Sequence, residues 1–373
     1  MPLFAVTLED MVTNVIADHP AVPGGVVLEM MGLQVFVTKA AFDHERVIKP
    51  VSFAPLTRDQ VIDARPLPGP GRLERGFRGG TAVVTGNFNT DTNRIEVDFF
   101  SPPVTDPVRE PKPMIILGPA ENVLGGAITA ISDGKTLQVN GVDAAVLPGE
   151  AAGGDARLPQ LEPRNAFGIP IDLTKVPRTI DVPIAGGAAM APPLATINGY
   201  FAVPAKPVEG VAPTGFQGYD VVVDTDDRRV LIDPLKPQVA VTKAQARQRP
   251  GAPTYDIDLQ GGLSVEIGPP GMAPTRLANP QRVEVRRVDR DPATGAWVEQ
   301  PVALGVDGAV RVVAGKPFSR WRIRATLPML PAPFDHPPMK VRAYATSPDA
   351  IIANGGSAPV SPDGEERVEW IKG

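Results

Sequence analysis

Proline is the feature that most limits what this chain can fold into. The sequence has 44 prolines and 37 glycines among 373 residues, together nearly twice the share that is usual in globular proteins. A proline inside a helix removes a backbone donor and clashes with the preceding turn, at a cost of about 3 kcal/mol. Helical bundles and large parallel α/β enzymes are therefore excluded. Because 43% of the residues are hydrophobic, the chain can still fold, and we expect a mainly β protein with several domains.

Charge and cysteine content exclude further classes of function. Lysine and arginine number 37, and aspartate and glutamate 42, which gives a net charge of −5. No overall basic field favours nucleic acid, so we expect no nucleic-acid partner. The sequence has no cysteine, which excludes disulfides, thiolate nucleophiles and cysteine-ligated metals.

Targeting signals are weak. The first ten residues lack the basic start and the apolar run of a signal peptide. We therefore expect cytoplasmic synthesis, with the final location open, including a virion or export without an N-terminal signal. The longest uncharged stretch, residues 182–205, is interrupted by glycines and prolines, so we expect no membrane insertion.

Residues 1–70 are predicted to form an α+β module. Apolar residues recur there at helical spacing and predict a helix over residues 8–17: Leu8, Met11, Val12, Val15 and Ile16. β-branched and aromatic residues predict two strands, at 26–28 and 33–38. Thr57 and Gln60 have the spacing of a capping box and predict a short helix over 58–64.

A proline-rich stretch, residues 65–71, is interpreted as a linker to the next modules. Residues 71–148 show short strand patterns joined by Asp-Gly and Asn-Gly turns, which predict a small β-barrel or sandwich. Residues 149–215 contain many prolines and few strand patterns, so we expect them to form an extended arm.

The C-terminal part regains strand patterns. Residues 216–275 are predicted to form strands that could complete the preceding barrel. Residues 276–373 have five or six short strands with regular turns, which is typical of an antiparallel sandwich of the immunoglobulin or fibronectin type III kind. This is a likeness of architecture, because the Cys-Trp-Cys framework of immunoglobulin domains is absent.

Catalytic and metal-binding patterns are weak throughout. No nucleotide-binding loop, zinc-protease motif or nucleophile elbow is present. All three histidines follow an aspartate, but neighbouring residues of a strand point to opposite faces, so such a dipeptide rarely chelates a metal. Asn89, Asp91 and Asn93 have calcium-loop spacing, whereas Arg94 and Phe100 replace the required glycine and glutamate, and a hairpin turn is favoured. We therefore predict no catalytic residue, no metal site and no cofactor.

Two sets of residues are candidates for interaction. Arg320, Arg322 and Arg324 alternate with Trp321 and apolar residues, so the arginines should share one strand face while Trp321 enters the core. Residues 276–373 have a net charge of +3 and the remainder −8, which favours docking between domains or copies. The alternative is a solvated face whose arginines prevent aggregation.

The second set lies in the expected arm. With few large apolar side chains, residues 150–215 cannot form a core alone. We expect four of its apolar side chains, and the uncharged stretch 182–205, to lie against another domain or another copy of the chain: Ile169, Ile171, Leu173 and Val176.

Together these features favour a non-catalytic structural or interaction subunit of a larger assembly, of the virion, tail, sheath or surface-layer type, that self-associates or joins other subunits. A monomeric carbohydrate- or ligand-binding β protein is the alternative. A carboxylate-dependent hydrolase is the third interpretation, because paired acids leave no local signature.

Overall fold

A computed structural model describes most of the chain, namely residues 3–30, 32–69, 72, 74–97, 114–119, 122–149, 152–159, 161–202, 215–232, 238–248, 252–264, 266–267, 275–276, 282–291, 293–294, 296–307, 318–332, 334–346 and 360–372. Among the described residues, those in strands far outnumber those in helices. The mainly β class is therefore confirmed. The chain divides into two compact units. Unit 1 comprises Met1–Pro107, Lys112–Glu162 and Pro177–Val221, and unit 2 comprises Val108–Pro111, Pro163–Val176 and Val222–Gly373.

The first part of unit 1 is a closed five-stranded barrel. Its elements are β1 (Leu3–Ala17), β2 (Val26–Met30), β3 (Leu33–Val37), α1 (Lys39–Asp43), β4 (Val47–Ile48), α2 (Arg58–Ile62), β5 (Thr81–Asn89), β6 (Arg94–Val97) and β7 (Met114–Gly118). The strand order β1-β2-β3-β6-β5 closes because β5 also pairs with β1, and β7 and β4 extend the sheet beyond β5. Residue 70, the expected domain boundary, thus lies between strands of one barrel.

The predicted helix over residues 8–17 is wrong, since this segment is strand β1. Its first part pairs with β5 and its second with β2, and the register shifts between Val12 and Asn14. Such a bulge moves the alternating pattern by one residue. Leu8 and Val12 therefore face the main core before the shift and Val15 after it, whereas Ile16 packs on the other side. The resulting spacing resembles that of a helix.

The second predicted helix is confirmed as α2. The Thr57 side chain accepts a hydrogen bond from the Gln60 backbone, and the Gln60 side chain accepts one from the Thr57 backbone, as in a capping box. The stretch that follows, expected as a linker, is packed: Leu67 is buried, and Tyr200 donates a hydrogen bond to the Pro68 carbonyl at 2.7 Å. The buried Arg157 donates to further carbonyls of this stretch.

The second part of unit 1 is another closed five-stranded barrel. The elements from here to residue 224 are β8 (Asn122–Ser132), β9 (Thr136–Val139), β10 (Val142–Val146), β11 (Arg164–Asn165), β12 (Ile180–Ile184), β13 (Gly187–Ala191), β14 (Leu194–Phe201) and β15 (Phe216–Asp224). The barrel order is β10-β9-β8-β14-β15, closed by a parallel pairing of β10 with β15. Asn140 and Gly141, both with positive φ, form the two-residue turn from β9 to β10.

Residues 149–215 therefore differ from the expected extended arm. Strand β14 belongs to the second barrel, β12 and β13 form a separate two-stranded hairpin, and β11 pairs with the end of β15 in unit 2. Of residues 216–275, expected to complete the preceding barrel, β15 does so, whereas the later strands belong to unit 2.

Unit 2 contains two four-stranded sheets. Its strands are β16 (Val239–Gln248), β17 (Thr254–Ser264), β18 (Glu266–Ile267), β19 (Thr275–Arg276), β20 (Arg282–Arg290), β21 (Trp297–Asp307), β22 (Phe318–Pro328), β23 (Lys340–Thr346), β24 (Val360–Arg367) and β25 (Glu369–Lys372). The strand orders are β22-β17-β16-β25 and β21-β20-β23-β24. Both sheets contribute to one core, for example Leu259 and Trp321 from the first and Val285 and Val341 from the second. The first strand of these two sheets begins at Val239, before the domain boundary that was expected at residue 276.

Candidate interaction surfaces

The three candidate arginines lie on the outward face of β22, as the alternation predicts. Arg320, Arg322 and Arg324 are exposed, whereas Trp321 is 2% exposed. The prediction that Trp321 belongs to the core is confirmed, and its Nε1 donates hydrogen bonds to the carbonyls of Ala240 and Gly262. We call the outward surface of β16, β17 and β22 the arginine face.

A single carboxylate lies at the centre of the arginine face. Asp258 on β17 accepts two hydrogen bonds from Arg322, at 2.9 and 2.8 Å, one from Arg324 at 3.3 Å and one from Lys243 at 2.8 Å. Burial raises the pKa of Asp258, but hydrogen bonds from Arg322, Lys243 and Gln260 outweigh it and lower the pKa to about 2. Asp258 is thus an anion that holds several cations side by side on the sheet.

One end of the arginine face is covered by Ala166 and Phe167, which lie in the segment 163–176 of the same unit. Arg320 donates a hydrogen bond to the Ala166 carbonyl at 3.2 Å, and its guanidinium lies 5.0 Å from the centre of the Phe167 ring. Phe167 also stacks on Phe318 at 5.2 Å. A Cβ at Gly262 would meet the Phe167 carbonyl oxygen at 2.0 Å, so only glycine permits this approach.

The four apolar candidates of this segment are all buried. Ile169 is 0% exposed and packs with Leu231, Ala240 and Phe318. The other three are also buried: Ile171, Leu173 and Val176. Residues 163–176 belong to unit 2, and Ile171 forms a β-bridge with Leu231, so this segment is part of the folded unit.

Side chains of the segment hold its backbone in place. Asn165 accepts hydrogen bonds from the backbone N–H groups of Phe167 and Ile169, at 3.0 and 3.1 Å. Asp172 caps a 3-10 turn, Leu173–Lys175, by accepting from the Thr174 backbone at 3.0 Å and the Thr174 hydroxyl at 2.6 Å. The bonds from Thr174, with a further one from Lys175, lower the pKa of Asp172, although burial opposes this shift.

The β12–β13 hairpin has a different environment. Its residues are exposed or half-buried on both faces, and large apolar side chains are among them. Val182 is 36%, Ile184 54% and Met190 65% exposed. This part of stretch 182–205, expected to lie against another domain or another copy of the chain, is exposed in the described single chain. The sequence analysis did not predict this separate hairpin, although Gly186-Gly187 between apolar residues is a turn signal.

A buried ionic cluster in unit 2 was also missed. Arg287 and Asp289 on β20 are 1% and 0% exposed and form an ion pair. Arg287 donates to the Phe334 carbonyl at 3.0 Å, and Asp289 accepts from the Met339 backbone at 3.2 Å. The cluster thus fastens residues 334–339 to the sheet. The adjacent arginines 286 and 287 were an available signal, because on a strand one of them must face inward.

Several of the described carboxyl groups have a shifted pKa. Six have a shifted pKa, and in each the shift is downward: Asp63, Asp155, Asp172, Asp227, Asp258 and Glu299. Burial opposes the shift, most strongly in Asp155, Asp227, Asp258 and Glu299, but hydrogen bonds to cationic and hydroxyl groups outweigh it. A general acid of a glycosidase needs the opposite shift.

The calcium-like turn is a hairpin turn. Asn89 accepts hydrogen bonds from the backbone N–H groups of Asp91 and Thr92, at 3.0 and 3.3 Å. Its side-chain oxygen therefore shapes the turn between β5 and β6. Among the described residues, no three histidine, aspartate or glutamate side chains are grouped as metal ligands would be.

Neither α-helix of the described chain could cross a membrane, since each has five residues. No protein-family model, no curated protein and no solved structure matches this chain. Function must therefore be argued from its surfaces.

Proposed function

We propose that this chain is a non-catalytic structural subunit that assembles with other copies of itself, in an assembly of the virion, tail, sheath or surface-layer type. The observation that supports the proposal is the β12–β13 hairpin. A two-stranded hairpin is at best marginally stable alone in water. Within the described part of the chain, this hairpin pairs only with itself, through five residue pairs of Ile180–Ile184 with Gly187–Ala191.

The apolar side chains of the hairpin add to the argument. Burying an exposed Ile or Met side chain is worth about 1.5 to 3 kcal/mol. This stabilisation would be obtained only if another surface covered the hairpin and buried Val182, Ile184 and Met190. A second copy of the chain is always present at the same concentration, so self-assembly is the simplest source of such a surface.

We also propose a finer architecture for unit 2, that of an immunoglobulin or fibronectin type III sandwich. In chain order the strands would be A (β16), B (β17), C (β20), C′ (β21), E (β22), F (β23) and G (β24). The sheet orders E-B-A and C′-C-F-G support this assignment. The two preceding barrels and this sandwich would then be the modules of a multidomain subunit.

Sedimentation velocity of the purified protein tests the proposed function. We expect the wild-type chain to sediment as an assembly larger than a 39.4 kDa monomer, and the double variant Ile184→Lys/Met190→Lys to be monomeric with an unchanged melting temperature. Ile232→Lys is the matched control, because Ile232 is 53% exposed and lies in unit 2. A monomeric wild type, or an assembly that the hairpin variant leaves intact, would contradict the proposal.

The alternative, a monomeric ligand-binding β protein, has one observation in its favour. The uncovered end of the arginine face is an open concavity of about 520 Å³, within the size range of ligand sites. No such observation favours the hydrolase interpretation.

A further inference from the structure

The arginine face has a covered half and an open half. Phe167 and its neighbours cover the end near Gly262 and Arg320. The other end forms the concavity, whose lining includes six polar side chains: Gln245, Arg247, Asp256, Asp258, Arg324 and Thr326. A segment of chain thus already lies across one half of this face, and the other half is open in the described part of the molecule.

Strand β22 is also an edge strand. It stands first in the order β22-β17-β16-β25, and within the described residues it pairs only with β17. The backbone N–H and C=O groups of an unpaired edge can bind a further strand, a mode of recognition in which an extended peptide joins the sheet.

The side chains beside this edge are basic. Arg322 and Arg324 have side chains that are 43% and 65% exposed. Arg324 gives Asp258 one hydrogen bond, from Nε. With Lys243, Arg247 and Arg320, the face has five cations against Asp256 and Asp258.

We infer that the edge of β22 binds an extended acidic segment of a partner protein, which adds to the sheet as a strand with carboxylates at every second position. Alternate residues of a strand are about 6.6 to 6.8 Å apart on one face, so the carboxylates match the spacing of Arg322 and Arg324. Directly opposed side chains across such a pairing are about 4.5 to 5.5 Å apart. The arginine fork also suits carboxylates, as its paired bonds to Asp258 illustrate.

Nucleic acid and polysaccharide fit this face less well. Among the described residues that line the concavity none is aromatic, whereas single-stranded nucleic acid and sugars are bound largely by stacking on aromatic rings. The partner is therefore an acidic protein segment.

This inference is independent of the proposed self-assembly. The hairpin belongs to unit 1 and the arginine face to unit 2. The test of self-assembly can therefore fail while the test of peptide binding succeeds, and the reverse.

The probe is a fluorescent synthetic peptide in which glutamate alternates with threonine, and binding to the full chain is measured by fluorescence anisotropy at low salt. The comparison peptide has the same composition with its glutamates contiguous. The test variant is Arg322→Gln/Arg324→Gln. The control variant is Arg65→Gln/Arg229→Gln, which changes the charge equally at two side chains that are each 80% exposed and that, like the test pair, form ion pairs with aspartates.

We expect the alternating peptide to bind the wild type and the control equally, and the test variant about fivefold more weakly. Melting temperatures of both variants should match that of the wild type, which shows that the loss is local. The inference is overturned if the alternating peptide does not bind, if the contiguous peptide binds equally well, or if the control loses as much affinity as the test variant. Tighter binding of an oligothymidylate or of heparin of equal charge would also overturn it.

Discussion

Two stretches only a few residues apart, 163–176 and the β12–β13 hairpin, have opposite environments in the same proline-rich part of the chain. Ile169 is 0% exposed and Leu173 3%, whereas Ile184 is 54% and Met190 65% exposed. Both stretches contain isolated apolar residues among prolines and glycines. Composition alone therefore does not distinguish them.

The difference is in what surrounds each stretch. The first has an apolar surface formed by Leu231, Ala240 and Phe318, and its backbone is hydrogen-bonded by Asn165 and Asp172. The hairpin has its own ladder. An apolar residue in an extended segment is buried only when another part of the molecule, or another molecule, offers it a surface.

The largest effect that would sharpen this contrast is on stability. We expect Ile169→Ala to lower the free energy of unfolding of unit 2 by about 2 to 4 kcal/mol, because it opens a cavity in a closed core. The matched change Ile184→Ala in the hairpin should alter stability by less than about 0.5 kcal/mol. Urea denaturation measures the free energy of unfolding of both variants, and similar losses at the two sites would contradict the contrast between the two stretches.

A smaller effect is expected where the first stretch touches the sheet. Gly262→Ala should push Phe167 away and cost about 1 to 3 kcal/mol, since the added Cβ would overlap the Phe167 carbonyl oxygen. The segment 163–176 should then be cut faster in limited proteolysis. Gly187→Ala is the control, because its Cβ would meet no atom within 4 Å. Unchanged protection of the segment in the Gly262 variant would show that this contact is not needed.

The smallest effect concerns pH. The folded-state pKa of Asp172 is lowered by hydrogen bonds from Thr174, against burial. The stabilisation from this carboxylate is therefore complete above the unfolded pKa of about 4 and is lost as pH falls through the lower folded value. Asp172→Ala should cost about 0.5 to 1 kcal/mol near neutral pH, and less in acid. Chemical denaturation of the wild type and the variant, near neutral pH and in acid, measures this cost. A cost that does not fall in acid would contradict the prediction.

Local features were predictable from the sequence where the contacts are local. The capping box at Thr57 and Gln60 stabilises α2 through residues three apart, so its spacing was sufficient. The outward position of Arg322 and Arg324 followed from strand alternation alone. Strand β1 was mispredicted because a bulge, set by pairing with two other strands, changed its period.

The mainly β class of this protein follows from local sequence features, because proline density excludes long helices and alternating apolar residues favour sheets. The tertiary structure was needed to show which strands close each barrel, such as β1 with β5 and β10 with β15. It also decided that residues 163–176 are buried while the hairpin is exposed. These outcomes depend on pairings between residues that are distant along the chain. The free energy gained from such contacts must exceed the entropy cost of closing long loops. A local pattern of residues contains no information on this balance.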